Sequence, residues 1–321
     1  MKLTRLSGVA IAAVLLTAGT ANAQMVGIGS TKGTAVAQMT AAIAKVVSQY
    51  SGIQMRTQPM GGTQQYIPVV NAGQLEFGVG NSFQTYEAVT GTGLSKGHKY
   101  ENLRLVATLM PFTTGLVVRV KDNIHKVAQL KGKRLPYGYD GAPLFQSFMI
   151  GCLANGGLTY ADVVHVPTIG LAQSWNLFKE GKVDAVISAT GTAANKEMNA
   201  RIPGGTRYID FDTTGPNAEK TLNILRTTHY TLVKPAKALP VVKEPVHIIV
   251  YYFTLWAYKG ISNAVIEKVT KALYEHAGEL KESSAIWRRF SAKDMATNQG
   301  PELLYHPGAI AYYKQIGLWK R

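Results

Sequence analysis

Apolar positions along this chain follow two alternating patterns. Val36, Met39, Ile43 and Val47 recur at spacings of three and four, which is typical of a helix with one buried face. Other apolar residues form short unbroken runs, such as residues 115–120, that are too short for a helix and indicate buried strands. Because the two patterns alternate along most of the sequence, we predict an α/β fold.

One twelve-residue pattern occurs twice, at residues 69–80 and 177–188. Each copy reads as a helix end, a glycine, an acidic residue and a buried strand. Gly73 and Gly181 stand where a helix C-terminus favours a left-handed residue. We therefore predict two α/β halves built alike, each with its own sheet. Since ligands bind outside the carboxyl ends of parallel strands, we expect a clamshell with its ligand between the halves.

The remaining elements can be placed in outline. Besides the two repeat strands, strands are predicted near residues 25–29, 53–58, 103–109, 115–120, 135–138, 163–167, 208–211 and 247–258. Residues 213–245 are predicted to be irregular, and the chain from Ser262 onward to be helical. The predicted domains are residues 24–111 plus 246–321, and residues 112–245, joined by two hinge crossings.

The first 23 residues have the form of an export signal. Lys2 and Arg5 precede an apolar stretch from Val9 to Ala18, and the small residues at 21–23 suit signal peptidase. The apolar stretch is shorter than the roughly 20 residues that a membrane-spanning helix needs. We predict cleavage after Ala23 and a soluble periplasmic protein.

Composition narrows the classes of function. The formal net charge of +15 attracts anions, but the basic residues are scattered and no aromatic-plus-basic RNA motif occurs, so no nucleic-acid partner is predicted. Cys152 is the only cysteine, and its apolar helical surroundings indicate a buried structural residue. The histidines lack metal-ligand spacing, and there is no nucleophile elbow or close carboxylate pair. We therefore predict no enzyme, no metal and no cofactor.

The turn at residues 27–33 has the spacing GxGxxxG, which differs from that of nucleotide-binding loops. No acidic residue near position 50 is present to bind a ribose. What remains is a strand-to-helix turn whose N–H groups, hydroxyls and Lys32 suit an anion. An ordinary capped helix is the alternative.

Matching turns at residues 61–63 and 139–141, and the residues that follow each repeat strand, should face the same crevice. Asp140 is a candidate general base, although a helix cap is the simpler interpretation. Hydroxyls, amides, one lysine and aromatic rings, Phe83 among them, predict a pocket for a small carboxylate with an apolar or flat part. The predicted ligand-binding residues are Ser30, Thr31, Lys32, Thr34, Gly62, Thr63, Asn81, Ser82, Gln84, Tyr137, Tyr139, Asp140 and Thr190.

A set of seven segments, in order, carries a family resemblance: residues 27–34, 60–63, 73–77, 127–133, 155–163, 181–185 and 306–310 (His-Pro-Gly-Ala-Ile). In this order they resemble the TAXI family of solute receptors, which serve tripartite ATP-independent periplasmic (TRAP) transporters. The resemblance covers nearly the whole mature chain. It implies a type II periplasmic binding fold, a glutamate-like ligand and a TRAP-type membrane permease as partner, and we expect a monomer.

Three segments depart from the family pattern. The opening Thr-Gly-Gly-Thr-Gly-Gly is replaced at residues 30–35, Gln-Ser-Asp is replaced at residues 81–83, and Ser-Gly-Thr is replaced by Ala-Pro-Leu at residues 142–144. Fewer donors in the second half favour one carboxylate, held from the first half, over two. An enzyme on the same scaffold, or a sensor for a membrane kinase, is the alternative function.

Overall fold

A computed structural model describes residues 24–32 and 34–320. The predicted signal segment and Gly33 of the first turn lie outside the described residues. Within the described part of the chain, no helix has the length and apolar character needed to cross a membrane.

Strands and helices alternate along most of the described chain. The strands are β1 (Gln24–Thr31), β2 (Ile53–Met60), β3 (Phe77–Asn81), β4 (Leu103–Arg119), β5 (Arg134–Gly138), β6 (Val164–Thr168), β7 (Ala185–Ala189), β8 (Thr206–Tyr208), β9 (His229–Val233) and β10 (Val246–Tyr258). The α-helices are α1 (Ala35–Tyr50), α2 (Thr63–Asn71), α3 (Ser82–Thr90), α4 (Leu144–Asn155), α5 (Leu171–Lys179), α6 (Ala193–Arg201), α7 (Pro216–Ile224), α8 (Asn263–Glu275), α9 (Ala277–Ser283) and α10 (Pro307–Gln315).

The first half is built on the strand order β2-β1-β3-β10-β4. β1 pairs in parallel with β2 and β3, whereas β10 is antiparallel to both β3 and β4. Helix α1 buries the predicted face, with Val36, Met39, Ile43 and Val47 all in the core. The carboxyl ends of β1, β2 and β3 therefore lie along one edge of the sheet.

The second half continues from the two long strands. β4 pairs with β7 and β8, and β9 pairs with β10. β5 and β6 form a separate parallel pair, which is linked to the start of β7 by a bond from Asp184 N to Arg134 O of 2.8 Å.

The repeated pattern has the same structural role in both halves. Gly73 has φ +73° and Gly181 has φ +74°, which confirms the predicted left-handed helix ends. The acidic residue of each copy accepts from a backbone N–H on another strand of its own half, β1 in the first half and β5 in the second. Glu76 Oε2 accepts from Gly27 N at 2.6 Å, and Asp184 Oδ2 accepts from Arg134 N at 2.8 Å.

The prediction of a separate sheet for each half was wrong. β4 has 17 residues and β10 has 13, and their pairing carries one hydrogen-bonded sheet through both halves, so β3 and β7 belong to the same sheet. The sequence pattern broke β4 in two around Pro111, which lacks an N–H. Pro111 is nevertheless accommodated opposite Tyr252, next to a register shift in β10. The predicted domain limits at residues 111 and 246 stay a prediction.

Two further predictions were wrong in part. Residues 213–245 are not simply irregular, because they contain α7, which begins at Pro216 as helices often do, and β9, which is held by β10. The chain after Ser262 forms α8, α9 and α10, but residues 284–306 contain only short 3₁₀ turns. These segments obtain their hydrogen bonds from distant strands, which local periodicity does not reveal.

The His-Pro-Gly-Ala-Ile segment has a structural role here. His306 Nδ1 accepts from Gly308 N at 3.2 Å and so caps α10, while His306 Nε2 lies 3.2 Å from Lys259 O. Burial lowers the pKa of His306, in keeping with a neutral ring that accepts at one nitrogen. A Cβ on Gly308 would lie 2.5 Å from Asn263 O, so the glycine allows α10 to pack closely on α8.

Cys152 is fully buried in α4. Burial raises the pKa of its thiol well above the usual value, which keeps it protonated. This confirms a packing residue rather than a reactive thiol.

Candidate functional site

The first two turns of the first half are joined to each other. Thr31 pairs with Met60 across β1 and β2, and Lys32 N donates to Met60 O at 3.2 Å. The hydroxyl of Tyr66 donates to a backbone carbonyl at 2.6 Å and lies 3.2 Å from the Thr63 hydroxyl and 3.5 Å from that of Thr31. The structure thus brings Thr31, Lys32 and Thr63 together.

Two predicted hydroxyls of this region are used internally. Ser30 is buried and its Oγ accepts from the Thr40 hydroxyl at 2.8 Å. Thr34 caps α1 by accepting from Val36 N at 3.2 Å. Lys32, by contrast, is exposed and forms no ion pair with any described residue.

Helix starts differ in how they are capped. Side chains of Thr34, Asn81 and Thr192 cap α1, α3 and α6. Helices α2, α4 and α5 begin without a side-chain cap, although backbone carbonyls accept some of their first N–H groups, such as Phe145 N on Ala142 O and Gln65 N on Gly62 O, both at 3.0 Å.

The interpretation of Asp140 as a helix cap was wrong. Asp140 is exposed, and Pro143 is the residue at the N-cap of α4. Tyr139 adopts a left-handed φ of +52°, and Ala142 N donates to Tyr139 O at 2.7 Å. This tight turn leaves Asp140 before the helix begins.

Several backbone donors at the strand ends are already occupied. In three turns, two of which lie at or beside predicted anion-binding turns, a glutamine side chain accepts a backbone N–H. The pairs are Gly61 N with Gln65 Oε1 at 2.8 Å, Gly138 N with Gln146 Oε1 at 2.9 Å, and Ile169 N with Gln173 Oε1 at 2.8 Å. The anion cradle is therefore smaller than the glycine turns suggest.

Gln84 differs from these glutamines, because neither atom of its amide has a partner. Its side chain is 2% exposed, and Nε2 and Oε1 form no hydrogen bond with any described residue. Gln64 Nε2, in the first turn of α2, and the Thr114 hydroxyl on β4 are also buried and unpaired. Gln84 is among the predicted site residues, whereas Gln64 and Thr114 are not, although each adjoins a turn or crossing that the sequence indicates.

The predicted aromatic residues lie in three different settings. Tyr137 is exposed and stacks on His165, with 4.3 Å between ring centroids. Tyr139 is fully buried, and burial raises the pKa of its hydroxyl. Phe83 is 2% exposed and packs against Phe148 of α4 and Tyr251 of β10, so its ring joins the halves.

Ser82 and Thr190 occupy matching positions beside the two crossing strands. Ser82 Oγ accepts from Tyr252 N and donates to Thr227 O, both at 3.4 Å. Thr190 N donates to Thr113 O at 3.0 Å, and the two hydroxyls are hydrogen-bonded to each other. Both predicted residues thus stabilise contacts at the hinge.

Arg289 completes the second of these contacts and was missed by the sequence analysis. Its Nη1 donates to the Thr113 hydroxyl at 2.8 Å. This places a second cation, in addition to Lys32, beside a predicted site residue. The sequence offered no signal for it, because Arg289 belongs to a segment interpreted only as part of a helical C-terminus.

A cavity of about 560 Å³ lies elsewhere, beside Tyr252 of β10. Its walls are Tyr86, residues 226–229, Tyr252 and residues 297–302, and none of the predicted site residues is among them. Among the described residues, no group of three or more His, Cys, Asp or Glu side chains is placed to hold a metal ion.

The sequence profile of the NMT1-like family matches residues 26–317. The chain belongs to the NMT1-like family. This match extends over both halves and both crossing strands, so the two halves form one family unit.

Solved structures of periplasmic binding proteins have the same fold. A putative sulfonate ABC transporter component, the periplasmic sulfonate-binding protein SsuA from Methylobacillus flagellatus KT, is 17% identical, with 92% of this chain and 96% of that chain covered and a TM-score of 0.54. The periplasmic binding protein BugD is 15% identical, with 93% and 99% covered and a TM-score of 0.55. The aliphatic sulphonate binding protein SsuA from Escherichia coli is 15% identical, with 91% and 85% covered and a TM-score of 0.50. The predicted two-domain periplasmic binding fold is confirmed.

Proposed function

We propose that this chain is a solute receptor that holds its ligand where β3 ends. The main support for this proposal is that Gln84 is only 2% exposed and that its amide has no partner among the described residues. Because both amide atoms are unpaired, exchanging the O and N assignments leaves the conclusion unchanged. A buried unpaired polar group costs about 1–3 kcal/mol, and a polar solute that pairs with it removes this cost.

The unpaired groups favour a small organic anion that also carries a hydrogen-bond donor. Gln64 Nε2 and Gln84 Nε2 are donors, α2 begins without a side-chain cap, and Lys32 supplies positive charge at the adjoining turn. Gln84 Oε1 is an acceptor and needs an N–H or O–H from the ligand. A carboxylate with an amino or hydroxyl group meets both needs.

The candidate ligands can be ranked by how well they supply both an acidic group and a hydrogen-bond donor. Glutamate-like compounds come first, since the chain also resembles the TAXI receptors, and oxo acids or dicarboxylates follow. Two structural relatives are named as sulfonate-binding proteins. A plain alkanesulfonate, like an ionised oxo acid or dicarboxylate, has no donor and would leave Gln84 Oε1 unpaired, so these ligands rank below the amino and hydroxy acids.

Hinge closure is the proposed mechanism. β4 and β10 pass through both halves, and Phe83 of the first half touches Phe148 of the second beside them. A ligand that contacts both halves stabilises the closed form by its higher affinity for that form. The closed form is then the one that a membrane transporter recognises.

The proposed location is the periplasm, reached through the signal at residues 1–23. The proposed partner is a TRAP-type permease, because the chain resembles the TAXI receptors. One structural relative is instead named as part of an ABC transporter. Uptake of labelled ligand by cells that lack one permease class at a time separates the two. Loss of uptake only without the ABC-type permease would contradict the TRAP assignment.

Mass spectrometry of the ligand released from purified protein, followed by calorimetry, tests the proposed ligand. We expect an intact small carboxylate, and at least tenfold weaker binding in Lys32→Ala, the range for a lost charge-assisted hydrogen bond. The control Lys45→Ala removes another exposed lysine, on α1, and should bind normally. A sugar, a nucleotide, a metal ion or a turnover product in the released fraction would contradict the proposal.

A further inference from the structure

The lining of the cavity beside Tyr252 contains none of the residues assigned to the site proposed above. On α3, Ser82 and Tyr86 stand one turn apart, and Tyr86 lines the cavity while the unpaired Gln84 does not. Residues 226–229 come from the second half and residues 297–302 from the C-terminal part of the chain, with Tyr252 of the crossing strand between them. Its volume of about 560 Å³ lies within the range of about 300–1,000 Å³ usual for small-molecule sites.

Polar groups inside this cavity lack partners. Gln299 is 5% exposed, yet its amide makes no hydrogen bond with any described residue. The Thr227 hydroxyl is buried and unpaired, and Thr227 is held at a left-handed φ of +63°. Buried polar groups are normally hydrogen-bonded, so the Thr227 hydroxyl indicates a missing polar partner, and the Gln299 amide is free to bind one.

Charges and rings in the wall define that partner further. Arg226 binds only the side chain of Asn223, at 3.1 Å, and no carboxylate lies within ion-pair distance of it in the described chain. Glu302 is exposed and likewise forms no ion pair there. Tyr86 and Tyr252 present aromatic rings, and the ring of His229 stacks beside Tyr252 with 6.1 Å between centroids. One cation, one carboxylate and flat apolar faces occur together.

We propose that this cavity is a second binding site, for a zwitterionic amino acid with an aromatic side chain. Arg226 binds the ligand carboxylate, because guanidinium and carboxylate form strong paired hydrogen bonds. Glu302 binds the ammonium group, the rings of Tyr86 and Tyr252 contact the ligand ring, and Gln299 and Thr227 bind its remaining polar atoms. The ligand therefore contacts both halves of the molecule.

Calorimetric titration of the purified full mature chain with L-tryptophan and with tryptamine, which lacks the carboxylate, tests this site. We expect tryptophan to bind the unaltered protein at least tenfold more tightly than tryptamine. In Arg226→Ala this preference should disappear, whereas Arg56→Ala, an exposed arginine on β2 outside the cavity, should keep it. Gln299→Ala should weaken both probes about tenfold, and Glu302→Gln should weaken tryptophan, with unchanged melting temperatures showing that the variants fold.

Two results would overturn the proposal. One is the absence of any heat of binding with tryptophan, tyrosine or phenylalanine at millimolar concentration. The other is tryptophan binding that is lost in Gln84→Met but unchanged in Arg226→Ala, which would assign the ligand to the site at the end of β3. Because the variants at Gln84 and Lys32 report on that site alone, failure of this inference leaves the proposed receptor function intact.

Discussion

Helices α3 and α6 begin in the same way but leave their buried amides in opposite states. Each follows a repeat strand, and each is capped by a side chain that accepts from the N–H of the third helical residue, Gln84 in α3 and Asn195 in α6. Both side chains are buried, at 2% and 1% exposure. Asn195 Nδ2 donates to Ser188 Oγ at 3.2 Å and to the Tyr208 hydroxyl at 3.0 Å, while the Gln84 amide has no partner.

The same capped helix start can therefore hold a buried amide that is paired or one that is unpaired. In the second half the amide ties α6 to β7 and β8, so it stabilises the fold. In the first half the same position is left unpaired at a cost in stability, which fits the ligand-binding role proposed for Gln84. A duplicated pattern therefore predicts equivalent backbones but not equivalent roles for the side chains.

The contrast continues one turn further along the helices. Six residues after the cap, α3 has Glu87 and α6 has Met198, and both are buried. Burial raises the pKa of Glu87 from its ordinary 4.5 to about 7, although Leu94 N donates to its carboxylate at 3.3 Å. The first half thus carries a second destabilising polar group that the second half lacks.

Glu87→Gln is expected to give the largest change in how the unfolding free energy depends on pH. Because the folded protein holds the Glu87 proton up to about pH 7 and the unfolded chain releases it near pH 4.5, stability from this group is present at acid pH and is lost as pH rises through 7. The expected loss is about 3 kcal/mol between pH 4.5 and pH 8. Denaturant unfolding at several pH values should show this slope in the unaltered protein and not in Glu87→Gln.

The control for that experiment is Glu101→Gln, which removes an exposed carboxylate from the same half. It should keep the full pH dependence. If the unfolding free energy changed equally with pH in Glu87→Gln and in the unaltered protein, Glu87 would be ionised in the folded protein without loss of stability.

Gln84→Met tests the unpaired amide directly. The unbranched thioether fills similar volume without polar atoms, so the ligand-free protein should gain about 1 kcal/mol in unfolding free energy. Ligand affinity should fall about 10- to 100-fold, since the partner of the buried amide is removed. Calorimetry and unfolding on the same preparation give both values, and a loss of stability in the ligand-free variant would contradict the assignment.

Asn195→Leu is the matched experiment in the second half, with the opposite expectation. Removal of two buried donor bonds should lower the unfolding free energy by about 2 kcal/mol and change ligand affinity little. If Asn195→Leu weakened the ligand as much as Gln84→Met, the two halves would share the site equally.

The hinge contacts should give the smallest effects. Thr113→Val removes the hydroxyl that joins Arg289 to Thr190, at an expected cost of about 1 kcal/mol. Ser82→Ala should cost about half as much, because its hydrogen bonds of 3.4 Å are long. Denaturant unfolding measures both, and a larger effect at Ser82 would reverse the ranking of the two contacts.

Local sequence by itself determined the backbone plan of this protein. The glycines of the repeats, the helix face of α1 and the long apolar strand β10 all follow from spacing and from the conformations that each residue type prefers, so they could be predicted. Gln84 could be predicted as a site residue because a strand end before a helix can be recognised locally, and that assignment stays a prediction.

Only the tertiary structure decided which polar groups are paired. Arg289 reaches Thr113 over 176 positions and Ser82 reaches Thr227 over 145, and no local pattern encodes such contacts. Two hinge strands join the expected pair of sheets into one, and segments far apart in sequence line a cavity that no sequence motif indicates. Both the hydrogen bonds and the cavity wall depend on which distant segments meet in the folded protein. The spacing of residues along the sequence does not specify this.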